Sequence, residues 1–188
     1  ERRTNAAEAA WTAALVRDLV LRRTGLTIGV VAFSEAQQSE IERALERLTE
    51  QDRDFARAYE DEVGREEDGQ GVGLFVKNLE NVQGDERDLI LFSVAFSAND
   101  RGIVPLNFGP LTRAGGERRL NVAITRARRE VVLYASFDPS ELRAEQTTSV
   151  GIKHLKGYLE LAASGVEAAS DSPNRLRVVD RRRDEIAA

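Results

Sequence analysis

The sequence predicts an α/β domain with a central, mostly parallel β-sheet and helices on both faces. Three observations carry that prediction. The strand-like runs are apolar throughout instead of alternating, as strands buried on both faces must be. Segments with a helical period alternate with them along the chain. Helical segments also open on recognisable capping residues, which marks where each begins.

Each element can be justified in order. Asn5-Ala-Ala-Glu8 has the form of an N-cap with an acid at N3, and Trp11, Leu15 and Leu19 then recur at helical spacing until Thr24-Gly25 closes the segment. Thr27 to Phe33 (TIGVVAF) is a short buried strand. Ser34-Glu-Ala-Gln37 is a second capping box, opening a helix with Ile41, Leu45 and Leu48 inward. Residues 50 to 72 are charged and punctuated by glycine, the pattern of a helix fraying into a loop. Leu74 to Lys77 and Leu89 to Phe96 (LILFSVAF) follow as strands, the second nearly continuous in apolar residues. Residues 97 to 116, with Gly, Pro and Asn at intervals, are expected to form a long loop, and such loops are often functional. Glu117 to Arg128 is expected to be helical, with Leu120, Ala123, Ile124 and Ala127 as its apolar stripe. Val131 to Ala135 is a strand, and Ser149 to about Ser164 a helix with Ile152, Leu155, Leu159 and Ala162 on one face and His154 beside them in a structural role. From Glu167 the composition turns polar, so 166–188 reads as a linker or tail after a domain spanning 1–165.

Composition narrows the chemistry. The chain has 188 residues, no cysteine and one histidine, which excludes thiol nucleophiles, Cys/His zinc sites and Ser-His-Asp triads within it. No metal-ligating set is expected. No run of about 18 apolar residues or secretory leader is visible, and a cysteine-free chain suits the cytoplasm, so a cytoplasmic location without membrane partners is expected. The chain starts at Glu1 and contains no methionine, so it reads as part of a longer protein. The net charge is −5, which is not that of a globally basic nucleic-acid binder. Charge is unevenly spread, however. Residues 35 to 69 are acidic, whereas six arginines (113, 118, 119, 126, 128 and 129) face a single acid, Glu117, between Arg113 and Arg129.

Two segments carry candidate chemistry. In VKNLENVQGDERDLILF, Gly84 permits a tight turn, Gln83 offers both donor and acceptor, and Glu86 can accept from sugar hydroxyls; a surface turn with solvated acids is the plain alternative. On the arginine-rich helix, Arg128 and Arg129 fall in the last turn, where cations complement the helix dipole. Arg119 and Arg126 lie on the boundary between core and solvent and lack that explanation. No G-x-x-x-x-G-K-[ST] occurs, so the chain has no P-loop of its own.

The order TIGVVAFSEAQQ, VKNLENVQGDERDLILFS and RRLNVAITRARREVVLYAS resembles motifs IV, V and VI of superfamily-one helicases, closest to the Upf-like, DNA2-like branch, and is similar to the carboxy-terminal helicase domain of large bacterial helicase-related proteins. The resemblance covers roughly residues 5 to 165, and Q-G-x-E-x-D together with N-V-A-[IL]-T-R-A-R gives it specificity. It implies a three-layer RecA-like fold of the P-loop NTPase type, here the second of two motor domains that clamp ATP. The first domain, absent from this sequence, would hold ATP and Mg²⁺. The second would supply an arginine finger, and Arg126 is the match. By the same matching, Gln83, Gly84 and Glu86 would contact nucleotide, with Thr125 and Arg119 supporting. Ser34, Gln37 and Asn78 would contact the backbone of single-stranded DNA or RNA. Ser34 and Gln37 have their capping-box reading beside that one, and Glu80 stands where a phosphate contact would need a donor. Arg2 and Arg3 match poorly a second arginine that relatives place before motif IV. The isolated chain is expected to lack ATPase activity. A non-catalytic interaction module that keeps the fold is the alternative from another class. A doubly wound small-molecule domain would need a Gly-rich turn where Ala32-Phe33-Ser34-Glu35 stands.

Overall fold

A computed structural model of the chain describes residues 4–164 and the strand Arg175–Val178. Five strands form the main sheet: β1 (Ile28–Ala32), β4 (Phe75–Asn78), β5 (Arg87–Ser97), β6 (Ala127–Ser136) and β7 (Arg175–Val178). Their order is β4-β1-β5-β6-β7 and every pairing is parallel. Parallel neighbours require crossovers. Between β1 and β4 run the helices α2 (Glu35–Gln51) and α3 (Arg53–Val63) and a two-stranded hairpin, β2 (Glu66–Glu67) and β3 (Gln70–Gly71). The helices α1 (Ala6–Leu21), α4 (Gly116–Ile124) and α5 (Val150–Ala163) complete the fold.

The alternation of side chains along each strand divides the core in two. Val30, Ala32, Leu89, Leu91, Val132 and Tyr134 pack with Ala9, Ala13 and Val16 of α1, Ile41 and Leu45 of α2 and Phe55 of α3. Val31, Phe33, Ile90, Phe92, Val131 and Leu133 face the other way, onto Leu120 and Ala123 of α4 and Ile152, Leu155 and Leu159 of α5. The result is the expected three-layer, RecA-like architecture. The caps at Asn5 and Ser34 accept from the backbone N–H groups of Glu8 and Gln37 as expected, and Ser149 caps α5 by accepting from Ile152, each worth about 1 kcal/mol.

Four points go beyond or against the expectations. Residues 50 to 72 are not a fraying helix: Asp52 ends α2 and caps a new helix, α3, accepting from the N–H groups of Asp54 and Phe55. Phe55, fully buried, gives that charged helix its inward anchor. The arginine-rich helix stops at Ile124, and β6 begins at Ala127, four residues ahead of the apolar run. Pairing of Ala127 with Arg87 and of Glu130 with Leu89 holds this polar start in the sheet. Arg128 and Arg129 therefore sit on a strand, and the helix-dipole account of them fails. Within 166–188, Arg175–Val178 adds a strand beside β6, and the rest of that expected tail lies outside the described residues. Finally, His154 is exposed on α5 instead of packed. No helix among the described residues is long and apolar enough to cross a membrane.

Candidate functional site

The candidate residues separate to the two ends of the parallel strands. Gln83, Gly84 and Glu86 lie on the loop that enters β5, and Thr125 and Arg126 on the turn between α4 and β6. Both loops reach the amino edge of the sheet, where the N–H of Arg87 donates to the Arg126 carbonyl at 3.0 Å. Ligands of open parallel sheets usually gather at the carboxyl edge; this group is at the opposite one.

Arg126 is the hub of the amino edge. Its Nη1 is 3.4 Å from Glu86 Oε1, its Nε donates to the Val122 carbonyl at 3.1 Å, and its Nη2 reaches the Thr125 hydroxyl at 3.4 Å. Thr125 in turn donates to the Val122 carbonyl at 3.0 Å. Arg128 Nε lies 3.6 Å from the other Glu86 oxygen. Glu86 is thus shared by two guanidinium groups while 47% of its side chain is in solvent. Pairs this long and this exposed hold by at most about 1 kcal/mol and exchange readily. Gly84 has φ +91°, a left-handed turn conformation that glycine adopts without strain, and Gln83 is exposed beside it. Arg129 pairs with Asp88 at 3.2 Å. Partial burial opposes ionisation of Asp88, but the N–H and hydroxyl of Thr27 and the charges of Arg129 and Arg128 outweigh it and hold the carboxyl below its ordinary value. Arg119 does not join this group. It sits early in α4, about 7 Å of helix rise before the end at Ile124, and its Nη1 turns back to the Ala114 carbonyl at 3.4 Å.

Ser34, Gln37 and Asn78 lie together at the carboxyl edge, where Ala32 pairs with both Asn78 and Ser93. Gln37 is held by structural partners. It is fully buried, its Oε1 accepts from the Asn5 N–H, and its Nε2 donates to the Asn5 carbonyl and to the Ser93 hydroxyl. A phosphate has no access to that amide in this conformation. Ser34 caps α2 and is nearly buried. Asn78 closes a local turn by accepting from the Glu80 N–H at 3.0 Å, and its Nδ2 donates to Gln38 at 3.2 Å.

Beneath these residues lies a cluster that the sequence did not announce. Glu8, placed by its spacing as the N3 acid of a capping box, turns into the core instead. Asn5 Oδ1 does accept from the Glu8 N–H, but the Asn5 N–H is taken by Gln37, so the reciprocal half of the box is absent. The Glu8 carboxylate accepts from the hydroxyls of Ser93 and Ser136, each at 2.9 Å, and from the Ala95 N–H at 2.7 Å. Ala95 presents that N–H from a φ of +70°, within an irregularity in the β5–β6 register. Burial raises the Glu8 pKa to about 7 against the pull of these donors. Arg87, discussed below, is the second functional candidate that the spacing missed. Its only signal was a basic residue between two acids at the start of an apolar strand.

Among the described residues no cluster of His, Asp and Glu is arranged to hold a metal ion. A cavity of about 260 Å³ between α1 and α3, lined in part by Leu19, Leu26 and Arg65, contains none of the candidate residues. The amino-edge group therefore presents donors and acceptors on an open edge, suited to one side of an anionic ligand.

Comparison with known proteins places the chain in a family. The chain is 39% identical over 151 residues to a Mycoplasma pneumoniae protein named as an uncharacterized ATP-dependent helicase. It is 38% identical over 151 residues to a Mycoplasma genitalium protein of the same description. Each match covers 76% of this chain and 13% of the relative, so the chain corresponds to a small part of those proteins. A family model described as an AAA domain matches residues 1–137, a span that holds every candidate residue of both edges. The chain belongs to the AAA domain family.

Proposed function

We propose that this chain is the second RecA-like motor domain of a superfamily-one, Upf-like ATP-dependent helicase or translocase acting on single-stranded DNA or RNA. The observation that carries the reading is the pairing of Arg126 with Glu86 across two loops at the amino edge. Two segments distant in sequence there bring together a cation suited to phosphate and a carboxylate suited to sugar hydroxyls. The names of the two Mycoplasma relatives support the same class.

In this reading ATP and Mg²⁺ are held mainly by a first RecA-like domain facing this edge. ATP supplies the phosphoryl group, whose transfer to water builds negative charge on its oxygens. Arg126 leaves its exposed pair with Glu86 and places its guanidinium against that charge. Glu86, released, accepts from the sugar, and Gln83 and the Gly84 backbone complete the contact. Thr125 holds Arg126 in its turn. Ser34 and Asn78 line the carboxyl edge as contacts to the nucleic-acid backbone. The chain alone, with one side of the nucleotide site and no P-loop, is inactive as an ATPase.

The test is ATP turnover by the longer protein, with and without single-stranded nucleic acid. Arg126→Ala is expected to lower turnover about 10³-fold or more, the usual worth of an arginine finger. Retained nucleic-acid-stimulated turnover in that variant rules the assignment out.

A further inference from the structure

We propose that Arg87 is a positioning residue that holds the Glu86 loop in register with Arg126; this deepens the nucleotide-site reading above and rests on it. Arg87 is only 6% exposed. Its Nε and Nη2 both donate to the Gly73 carbonyl, at 2.9 and 2.8 Å, and its Nη1 donates to the Glu86 carbonyl at 2.8 Å. Its own N–H holds the Arg126 carbonyl at 3.0 Å. One residue therefore touches the backbone of both members of the candidate pair and ties them to a third segment.

That third segment is fixed from behind. A Cβ on Gly73 would overlap the Val63 carbonyl at the end of α3, so Gly73 is seated against that helix. The Arg87 guanidinium also lies over the Phe75 ring, 5.0 Å from its centroid. The ring has room because a Cβ on Gly29 would collide with it. The brace thus runs from α3 through Gly73 and Arg87 to Glu86 and Arg126.

The chemistry of Arg87 favours this role over a purely stabilising one. Among the described residues no carboxylate forms an ion pair with it, and its main partners are neutral carbonyls. Burial pulls its pKa below the ordinary value. An apolar side chain on the Phe75 ring would avoid the cost of burying a charge. What an apolar side chain lacks is the planar fork of donors, which fixes two carbonyls from different segments at once. Lysine, a point charge on a flexible stem, lacks it too.

The test compares Arg87→Lys and Arg87→Met in the longer protein, with amide hydrogen exchange on this chain as a second readout. Both variants are expected to lower kcat of ATP turnover by about 10–100-fold, as displacement of a reacting group by about 1 Å does. KM should change much less, and Lys should not rescue. The Arg87 amide, which donates to the Arg126 carbonyl, should exchange faster in both variants. Phe75→Leu, which keeps the fork and removes the stack, should give a smaller loss of kcat. Wild-type kcat with unchanged exchange in Arg87→Lys overturns the proposal, and this variant keeps the test open if the Met form fails to fold. Should Arg126→Ala retain turnover, the nucleotide-site reading falls, whereas the exchange result still decides whether Arg87 positions the loop.

Discussion

The two edges of the sheet use polar residues in opposite ways. At the amino edge, half-exposed Glu86 and Arg128 and the more covered Arg126 meet through contacts of 3.4 and 3.6 Å. At the carboxyl edge, Glu8, Gln37 and Ser93 are fully buried and joined by bonds of 2.9 Å. Exposed charges that are loosely paired can change partners at little cost. Buried polar groups must keep every partner they have, because losing one leaves the other without water or acceptor. An edge of the first kind suits ligand exchange, and one of the second kind suits a fixed frame.

The largest effect should come from breaking the frame. Glu8→Ala strips the acceptor from the Ser93 and Ser136 hydroxyls and the Ala95 N–H, and at pH 4.5, where Glu8 contributes most, should cost about 3 kcal/mol or more. Glu86→Ala at the other edge should cost less than about 1 kcal/mol. Urea unfolding of this chain measures both. Equal losses would mean that the two edges are not different in kind.

A second contrast is in the pH dependence. Glu8 is raised from 4.5 to about 7 in the folded state, so the fold favours its protonated form. Its contribution is therefore fully present below 4.5 and is lost as pH rises to about 7, with no further change above. At about 1.4 kcal/mol per pH unit the loss is up to about 3 kcal/mol. Asp88 is shifted the other way. Its contribution is present above the ordinary aspartate range and is lost as pH falls through its lowered value. Urea midpoints taken across pH should show Glu8→Gln flattening the slope between pH 4.5 and 7, and Asp88→Asn flattening only the acid limb. A Glu8→Gln curve parallel to wild type would show that the carboxylate is ionised throughout and that its donors outweigh burial.

The sequence revealed what local rules control. Asn5 and Ser34 announced their helices because a cap acts within three residues, and the α5 stripe announced its buried face because the helical period is local too. The start of β6 was hidden because Arg128 and Glu130 carry no apolar signal; the pairing with β5 that makes them a strand comes from forty residues upstream. Phe55 and Tyr59, four residues apart in a charged run, were the only aromatic pair marking α3, a short stripe that the surrounding charge obscured. Glu8 was read as the N3 acid of a capping box because its donors on Ser93, Ala95 and Ser136 lie more than 80 residues away in the chain. Ala95 gave no sign of its positive φ, since alanine within an apolar run reads as ordinary strand. For the candidate site, Gln83, Gly84, Glu86, Thr125 and Arg126 were legible as two motifs, and the structure adds that they share one edge. Arg119 was matched only in a supporting role and Gln37 had a capping reading beside it; their side chains turn to Ala114 and to Asn5 and Ser93, which spacing cannot express.

The smallest expected effect concerns Arg128, which competes with Arg126 for Glu86. Its side chain is 54% exposed and its contact to Glu86 is 3.6 Å, so Arg128→Ala should change stability by less than about 0.5 kcal/mol. High salt should erase even that difference, because exposed pairs are screened. Urea midpoints at roughly 0.05 M and 1 M salt test both statements. A loss of about 2 kcal/mol that survives high salt would mean that Glu86 is clamped, and Arg126 with it. The amino edge would then be a second rigid frame, and a guanidinium locked there would have to break a strong pair before it met a phosphate. A near-neutral, salt-sensitive result leaves Arg126 held by exchangeable contacts while its backbone stays fixed through Arg87, the combination that a residue reaching across to a ligand requires.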